Sequence, residues 1–187
     1  MPYIYPFEYK PTTRSWKRGK PLSIHIMEPN ISNTKTSIIP LLAGNECLLR
    51  TPDMIHGIYI HCGHTNATSI QSLLSLDTHP YASKIHILKR HGFFELFQTL
   101  SPKNNVIVSH QQWNELNYIY WDSITVGIPV IHNSDVLADF QYHYKGNDIS
   151  HIKRLIEQLY HTSDTEIQTH IQRDLVTSRA RYGKEAP

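Results

Sequence analysis

Short apolar runs alternate along this chain with longer segments in which apolar residues recur every three or four positions. The apolar runs predict buried strands, and the periodic segments predict amphipathic helices. The predicted strands are Leu22–Met27, Ile55–Cys62, Lys84–Lys89, Asn105–Ser109 and Pro129–His132. The predicted helices are Asn33–Leu49 with a kink at Pro40, Asn66–Leu76, Phe93–Leu100, Glu115–Val126, Asp148–His161 and Asp164–Arg181. This alternation predicts an α/β fold, a single Rossmann-like domain with a parallel sheet flanked by helices.

Residues 1–21 show neither period and are rich in proline, tyrosine and basic residues. We interpret them as an N-terminal arm or interdomain linker, which would pack on a neighbouring domain through Tyr3, Tyr5, Phe7 and Tyr9. Residues 22–187 form the predicted Rossmann-like domain with the C-terminal helices. The chain has 187 residues, which is enough for one domain with a substantial core.

The composition narrows the function classes. Apolar residues make up 40% of the chain and charged residues 18%, as in a folded domain. No apolar run approaches the roughly 20 residues that cross a bilayer, and the N-terminus lacks a signal-peptide pattern. We therefore expect a cytoplasmic protein without a membrane span. The only cysteines, Cys47 and Cys62, argue against a disulfide framework, and a net charge of +2 gives no support to nucleic-acid binding.

The first predicted strand runs into a polar turn that contains Asn30 and Lys35. Asn, Ser and Thr side chains in this turn can cap the next helix, whose free backbone N–H groups then attract phosphate. Lys35, expected in the first helical turn, would add a positive charge toward a bound diphosphate. The alternative is an ordinary capped helix with a solvated lysine. The glycine fingerprint of a dinucleotide-binding turn is absent, which argues against NAD or FAD.

Polar residues recur at the start and on one face of the predicted helix Glu115–Val126. Asn114, Asn117, Tyr118 and Asp122 lie at offsets of three, four and eight from the first of them. The backbone N–H groups of Asn117 and Tyr118 could meet phosphate, and the Asp122 carboxylate could accept both hydroxyls of a ribose. The alternative is an amphipathic helix whose polar face is only solvated.

Other polar residues follow predicted strands, at the strand ends where α/β proteins bind their ligands. His110 follows the Asn105–Ser109 strand directly. Lys89-Arg90-His91 follows another strand and could approach a nucleotide, or could form a solvated turn. His61-Cys62-Gly63-His64, with Cys47 upstream, fits none of the usual paired spacings of zinc ligands. No metal site is therefore predicted.

The segment around the Glu115–Val126 helix resembles the donor-binding domain of retaining GT-B glycosyltransferases. In that family two acidic residues, separated by seven others, precede a small-Gly-x-Pro-Val-Ile strand. The equivalent positions here are Asn114 and Asp122, followed by Val126-Gly127-Ile128-Pro129-Val130-Ile131. The resemblance implies one half of a GT-B fold. In such a half, His110 and Asn114 would hold the transferred sugar as catalytic residues, and Asp122 would hold the ribose.

The chain is more similar to a poorly characterised bacterial and viral glycosyltransferase-like family. Counterparts of its signatures occur in order across roughly residues 22–145. They are Glu28-Pro29-Asn30 with Lys35, Ser109-His110-Gln111, Asn117-Tyr118-Ile119-Tyr120, Gly127-Ile128-Pro129, His132-Asn133-Ser134 and a tyrosine-rich turn at Tyr142-His143-Tyr144. The donor-binding residues that these resemblances imply are Asn30, Lys35, Asn117, Tyr118, Asp122, Asn133 and Ser134.

Both resemblances imply a glycosyltransferase, or the donor-binding half of one, that transfers a sugar from a nucleotide-diphosphate sugar to an acceptor hydroxyl. They imply no cofactor and no obligatory metal, because helix N-termini and Lys35 would stabilise the leaving diphosphate. A second chain or a homodimer would supply the acceptor domain. One alternative is a non-catalytic GT-B-like binding or assembly subunit that needs a partner chain. Another is an enzyme with a DNA acceptor, since phage glucosyltransferases share this architecture.

Overall fold

Six strands form one sheet in this computed structural model, which describes residues 16–30, 34–93, 96, 104–113, 117–140 and 142–182. Along the sheet the strands lie in the order β3-β2-β1-β4-β5-β6, and every neighbouring pair is parallel. The strands are β1 (Leu22–Ile26), β2 (Ile55–Ile60), β3 (Ile85–Ile87), β4 (Asn104–Val108), β5 (Val130–His132) and β6 (Tyr142–His143). The predicted Rossmann-like parallel sheet is confirmed.

The two central strands explain why the sheet forms where it does. All five residues of β1 and all five of β4 are buried, as expected for strands that are covered on both faces. The edge strands β3 and β6 have only three and two residues, and such short edges offer little backbone for pairing with another chain. The five predicted strands are therefore correct within one or two residues at each end.

Five described helices cover the sheet: α1 (Ile38–Arg50), α2 (Ala67–Leu74), α3 (Tyr118–Val126), α4 (Ile149–His161) and α5 (Asp164–Tyr182). Helix α1 packs against α4 and the two strands β1 and β2, and α3 packs against α5. Gly44 lets α1 approach the sheet, because a Cβ atom there would lie 3.3 Å from Cδ1 of Ile58. Among the described residues, no helix is long and apolar enough to cross a membrane.

The predicted starts of two helices are wrong. Helix α1 begins at Ile38 rather than Asn33, so Lys35 lies before the helix and not in its first turn. Pro40 consequently falls in the first turn, where a proline loses no intrahelical hydrogen bond and needs no kink. Helix α3 begins at Tyr118 rather than Glu115, because the side chain of Asn117 caps it by accepting a hydrogen bond from the backbone N–H of Ile119 at 3.2 Å.

Two further segments differ from their predictions in another way. Tyr142-His143-Tyr144 is not a turn at its first two residues, because they form β6 and pair with Ile131 and His132 of β5. The predicted Phe93–Leu100 helix lies mostly outside the described residues, which include only Phe93 and Leu96 of it.

The end of the predicted N-terminal arm packs against the domain. Trp16 is buried, its backbone N–H donates to Oδ1 of Asp164 at 2.8 Å, and its ring N–H donates to the carbonyl of Thr162 at 3.0 Å. Asn104 exchanges two hydrogen bonds with the backbone of Lys17, at 3.0 and 2.7 Å. Tyr3, Tyr5, Phe7 and Tyr9 lie outside the described residues, so the predicted packing of the arm on another domain stays a prediction.

Candidate functional site

An open cleft of about 290 Å³ lies at the carboxyl ends of β1 to β4. The strand order reverses between β1 and β4, and their outgoing loops therefore separate and leave a crevice between them. The start of α3 forms the remaining wall. The polar side chains that line the cleft are Lys35, His61, Arg90, His91, Gln111, Asn117, Tyr118 and Asp122.

Four of the predicted donor-binding residues meet in this cleft. Lys35 reaches it from an extended segment that forms a single antiparallel bridge with Gln111, and Asn117, Tyr118 and Asp122 reach it from the start of α3. Tyr118 is 62% exposed and stands at the rim. Residues far apart in sequence thus converge at one edge of the sheet, as the strand pattern predicts.

Arg90 gives the cleft a second fixed positive charge beside that of Lys35. Arg90 and His91 follow β3, and the structure therefore places the Lys89-Arg90-His91 turn at the cleft. A guanidinium and an ammonium group facing one crevice suit an anion with several acceptor oxygens, such as a diphosphate. The carboxylate of Asp122 offers the opposite character, an acceptor for hydroxyl groups, in the same space.

A buried carboxyl group braces the two central loops of the cleft. One oxygen of Glu28 accepts hydrogen bonds from Oγ of Ser109 at 2.6 Å and from the backbone N–H of His110 at 3.2 Å, while the other accepts from Nε2 of Gln111 at 3.3 Å. Burial raises the pKa of Glu28 to about 7, against the opposing effects of these hydrogen bonds and of the charge on Lys35. Glu28 therefore connects the loop after β1 to the loop after β4 and is poised between its two protonation states near neutral pH.

Asn30 stabilises the segment that carries Lys35 and does not itself line the cleft. Its Oδ1 accepts hydrogen bonds from the backbone N–H of Ser37 at 2.8 Å and from Oγ of Ser37 at 2.9 Å. Its backbone φ of 54° lies in the left-handed region, which asparagine tolerates better than most residues. Asn30 is not among the residues that line the cleft, and its amide holds the loop from which Lys35 projects.

Asn133 and Ser134 also lie outside the lining of the cleft. The amide of Asn133 mimics a strand pairing with Gln111, because it accepts from the backbone N–H of Gln111 at 3.0 Å and donates to its carbonyl at 2.7 Å. Ser134 is buried, and its backbone N–H donates to Nδ1 of His132 at 3.2 Å. Asn133 therefore fixes the backbone of Gln111, whose side chain reaches both Glu28 and the cleft.

His110 is fully buried beside the cleft rather than in its lining. The Oη of Tyr144 donates its one proton to the carbonyl of Ser109 at 2.9 Å, so it must accept from Nδ1–H of His110, also at 2.9 Å. Burial lowers the pKa of His110, which leaves a neutral ring with a lone pair on Nε2. Asn114, the other predicted catalytic residue, lies outside the described residues.

Three residues of the site were given no role by the sequence: Glu28, His61 and Gln111. Each directly follows a strand, or lies two or three positions beyond its end, and position at a strand end is the signal that could have found them. In the described part of the chain, no cluster of three or more His, Cys, Asp or Glu side chains is arranged to hold a metal ion. Cys47 and Cys62 are both buried.

Solved structures share this fold at low sequence identity. A TarM mutant from S. aureus, in complex with fondaparinux, alpha-GlcNAc-glycerol and UDP, matches with a TM-score of 0.67 and 12% identity over 92% of this chain and 34% of that chain. The trehalose 6-phosphate synthase of Burkholderia multivorans matches with a TM-score of 0.65 and 12% identity over 87% of this chain and 40% of that chain. The lipopolysaccharide outer core galactosyltransferase WaaB matches with a TM-score of 0.55 and 12% identity over 89% and 50% of the respective chains.

The domain therefore has the architecture of one Rossmann-like half of a GT-B glycosyltransferase, and it spans between 34% and 50% of the length of these structures. No curated protein matches the chain in sequence. One protein family does match it, over residues 4–181. Since that match covers most of the 187 residues, the chain belongs to the family described as "Protein of unknown function (DUF2827)".

Proposed function

We propose that the cleft binds a nucleotide-diphosphate sugar and that the domain is the donor-binding half of a glycosyltransferase. The observation that carries this proposal is the convergence of Lys35, Arg90 and Asp122 on one crevice at the switch point of a GT-B-like half. Lys35 and Arg90 would neutralise the diphosphate, and Asp122 would accept the ribose hydroxyls. The charge of these side chains, and not an obligatory metal ion, would stabilise the leaving diphosphate during sugar transfer.

The sugar would lie toward the loop after β4, which Glu28, Asn133 and Tyr144 hold in place. Catalytic roles for His110 and Asn114 stay predictions in this scheme. The acceptor would be bound by a second domain, supplied by another chain or by a second copy of this one. One solved structure with the same fold is a complex of two proteins, the GtfA/B complex, at 12% identity over 89% of this chain. That precedent supports a partner chain.

Calorimetric titration with UDP and with other nucleoside diphosphates tests donor binding. Lys35→Ala should weaken the affinity about 10- to 100-fold, because it removes a charged hydrogen bond to phosphate. Lys20→Ala is the matched control, since Lys20 is exposed at the opposite edge of the sheet, and it should bind like the wild type. Asp122→Asn should weaken binding about tenfold, with exposed Asp53→Asn as its control. A folded protein that binds no nucleotide, or equal losses in Lys35→Ala and Lys20→Ala, would refute the proposal.

The second candidate is a non-catalytic binding or assembly subunit. It is favoured by Asn114, which stands where the resembling enzymes carry an acidic residue. Release of nucleoside diphosphate from a nucleotide sugar, measured with and without a co-purified partner chain, separates the two candidates. Binding without turnover in either case would favour the subunit, and turnover would favour the enzyme.

A further inference from the structure

Buried imidazole rings link the centre of the sheet to the wall of the cleft. His25, in the middle of β1, is 1% exposed, and its Nε2 lies 3.0 Å from Oδ1 of Asn105 on β4. On its other side, Nδ1 of His25 lies 3.1 Å from Nε2 of His61, with the two rings stacked at 5.4 Å. His61 follows β2 directly, is 1% exposed, and lines the cleft.

The order of these contacts fixes where the protons lie. An amide oxygen can only accept, so Nε2 of His25 must carry a proton and donate it to Asn105. Burial disfavours a doubly protonated ring, so Nδ1 of His25 has a lone pair and must accept from His61. His61 therefore donates through Nε2–H. A neutral imidazole has only one N–H, which leaves a lone pair on Nδ1 of His61.

This lone pair has no protein partner in the described part of the chain. Nδ1 of His61 is shielded from solvent and makes no hydrogen bond to any described residue. Buried polar atoms are satisfied in the great majority of cases, and each exception requires a reason. Here the atom belongs to a ring in the wall of a cleft, next to the exposed ring of His91, which packs edge-on against it at 5.7 Å.

We propose that His61 is a specificity-determining residue whose Nδ1 accepts a hydrogen bond from an N–H or O–H group of the ligand in the cleft. This inference rests on the proposed function, since the ligand is taken to be a nucleotide-diphosphate sugar. The donor is either an N–H of the base or a hydroxyl of one of the two sugars. Ligands that present an acceptor or a methyl group at this point are disfavoured, because they leave the lone pair unsatisfied.

Recognition, and not proton transfer, is the role that the chemistry of His61 allows. Burial, with a contribution from His91, lowers the pKa of His61 to about 4. A base this weak takes up little proton from a hydroxyl group near neutral pH, whereas its lone pair remains available as an acceptor throughout that range. The bond from Nε2–H to His25 keeps the ring in the required tautomer and orientation.

Nitrogen NMR of the histidine-labelled protein tests the tautomer without any ligand. The signals of His61 are identified as those missing from the spectrum of His61→Gln. We expect Nε2 protonated and Nδ1 unprotonated at neutral pH, with a change at Nδ1 when UDP or UDP-glucose is added. A ring protonated at Nδ1 would overturn the inference, whether or not nucleotides bind.

Two substitutions separate the two nitrogens of His61. Asparagine places its polar atoms near the position of Nδ1, and glutamine near that of Nε2. His61→Gln should keep the contact with His25 but bind UDP or UDP-glucose about tenfold more weakly, whereas His61→Asn should stay within about threefold of the wild type. Unfolding curves of both variants establish that they fold. Equal losses in the two variants, or wild-type affinity of His61→Gln for both UDP and UDP-glucose, would contradict the assignment.

The choice of probe identifies the donor group. If the base donates, UDP methylated at N3 should bind about tenfold more weakly than UDP to the wild type but equally to His61→Gln. If a hydroxyl of the transferred sugar donates, the loss in His61→Gln should appear with UDP-glucose and not with UDP. If a ribose hydroxyl donates, the 2′- or 3′-deoxy analogue of UDP should reproduce the loss. A wild type that binds neither these probes nor any other nucleoside diphosphate refutes the proposed function together with this inference, whereas binding that is insensitive to His61→Gln refutes only the inference.

Discussion

Polar residues lie both at the amino ends of the strands, which we call the amino edge of the sheet, and at their carboxyl ends, which we call the carboxyl edge. The two sets differ in how their hydrogen-bonding groups are satisfied. At the amino edge, Asn104 donates to the carbonyls of Lys17 and Lys20 at 2.7 and 3.3 Å and accepts from the backbone N–H of Lys17. Nearby, Ser163 and Glu166 form a capping box at the start of α5, in which each side chain accepts from the other residue's backbone N–H. These polar groups are satisfied by the protein itself.

At the carboxyl edge, some buried polar groups have a shifted pKa or lack a hydrogen-bond partner among the described residues. Glu28 is held where burial raises its pKa, and among the described residues Nδ1 of His61 and Nε2 of His110 have no hydrogen-bond partner. Ser23 Oγ, near the amino end of β1, and Tyr142 Oη and His170 Nδ1, near Glu166, are exceptions away from the carboxyl edge. The comparison indicates that the amino edge stabilises the fold, and that the carboxyl edge retains groups whose partners come with a ligand.

Glu28→Gln should give the largest effect, seen as a change in the pH dependence of stability. The folded pKa of Glu28, about 7, lies above its ordinary value of 4.5, so the folded protein binds more protons than the unfolded chain between these values. This contribution to stability is full below pH 4.5 and is lost as the pH rises to about 7, by about 3 kcal/mol in total. Glu28→Gln should lack this loss, so the difference in unfolding free energy between variant and wild type should shift by that amount.

Denaturant titrations at several pH values from about 3 to 8 measure this difference, in which the other titrating groups cancel, and the lower part of the range covers the control described next. Glu166→Gln is the control from the amino edge, and its effect should have the opposite sign. Hydrogen bonds from Ser163 lower the pKa of Glu166, so its contribution is present above the unfolded pKa and is lost as the pH falls through the folded one. If the unfolding free energies of Glu28→Gln and the wild type changed in parallel with pH, the pKa of Glu28 would not be raised in the folded protein. The polar groups of the carboxyl edge would then be as well satisfied as those of the amino edge.

Asn104→Ala should lower the unfolding free energy by about 2 kcal/mol, because three hydrogen bonds to the backbone of Lys17 and Lys20 are lost. Its affinity for UDP should stay within twofold of the wild type, since the amino edge lies across the sheet from the cleft. Asn104→Asp keeps the acceptor for Lys17 but turns a carboxylate oxygen toward the carbonyls of Lys17 and Lys20, so it should lose at least as much stability. Guanidinium unfolding and calorimetry on the same preparations measure both quantities. A fall in affinity that follows the loss of stability would contradict the separation of the two edges.

The sequence was sufficient for five of the six strands, because each of them contains a short apolar run between polar segments, and it missed β6, whose residues Tyr142 and His143 form no apolar run. It was insufficient for the start of α1, because the bridge between Lys35 and Gln111 joins residues that meet only in the fold. The start of α3 depends on a local contact, the cap of Ile119 by Asn117, which the apolar period did not reveal. The sheet explains why Lys35 and Asp122 converge, since the carboxyl ends of parallel strands share one edge.

The local sequence pattern does not show which hydrogen-bond partner a polar side chain has in the fold. Asn30 and Asn133 have the amide groups expected of ligand contacts, and both also bond to nearby backbone, so their predicted donor-binding roles stay predictions. His61 was considered only as a zinc ligand within its own tetrapeptide, because its partner His25 lies 36 residues away on the neighbouring strand. Which nitrogen of a histidine carries the proton is decided by such distant contacts.

Gly127→Ala should have the smallest effect, a loss of about 1 kcal/mol in unfolding free energy. Gly127 ends α3 with a φ of 73°, in the left-handed region where a Cβ atom is unfavourable, and its N–H donates to the carbonyl of Ile124 at 3.2 Å. Gly127→Asn is the matched control and should recover part of the loss, because asparagine tolerates this conformation. Gly127 leads toward the amino end of β5, so UDP affinity should be unchanged in both variants. Weaker binding at unchanged stability would instead show that the C-terminal end of α3 positions Asp122, and the functions of the two edges would then be coupled through this helix.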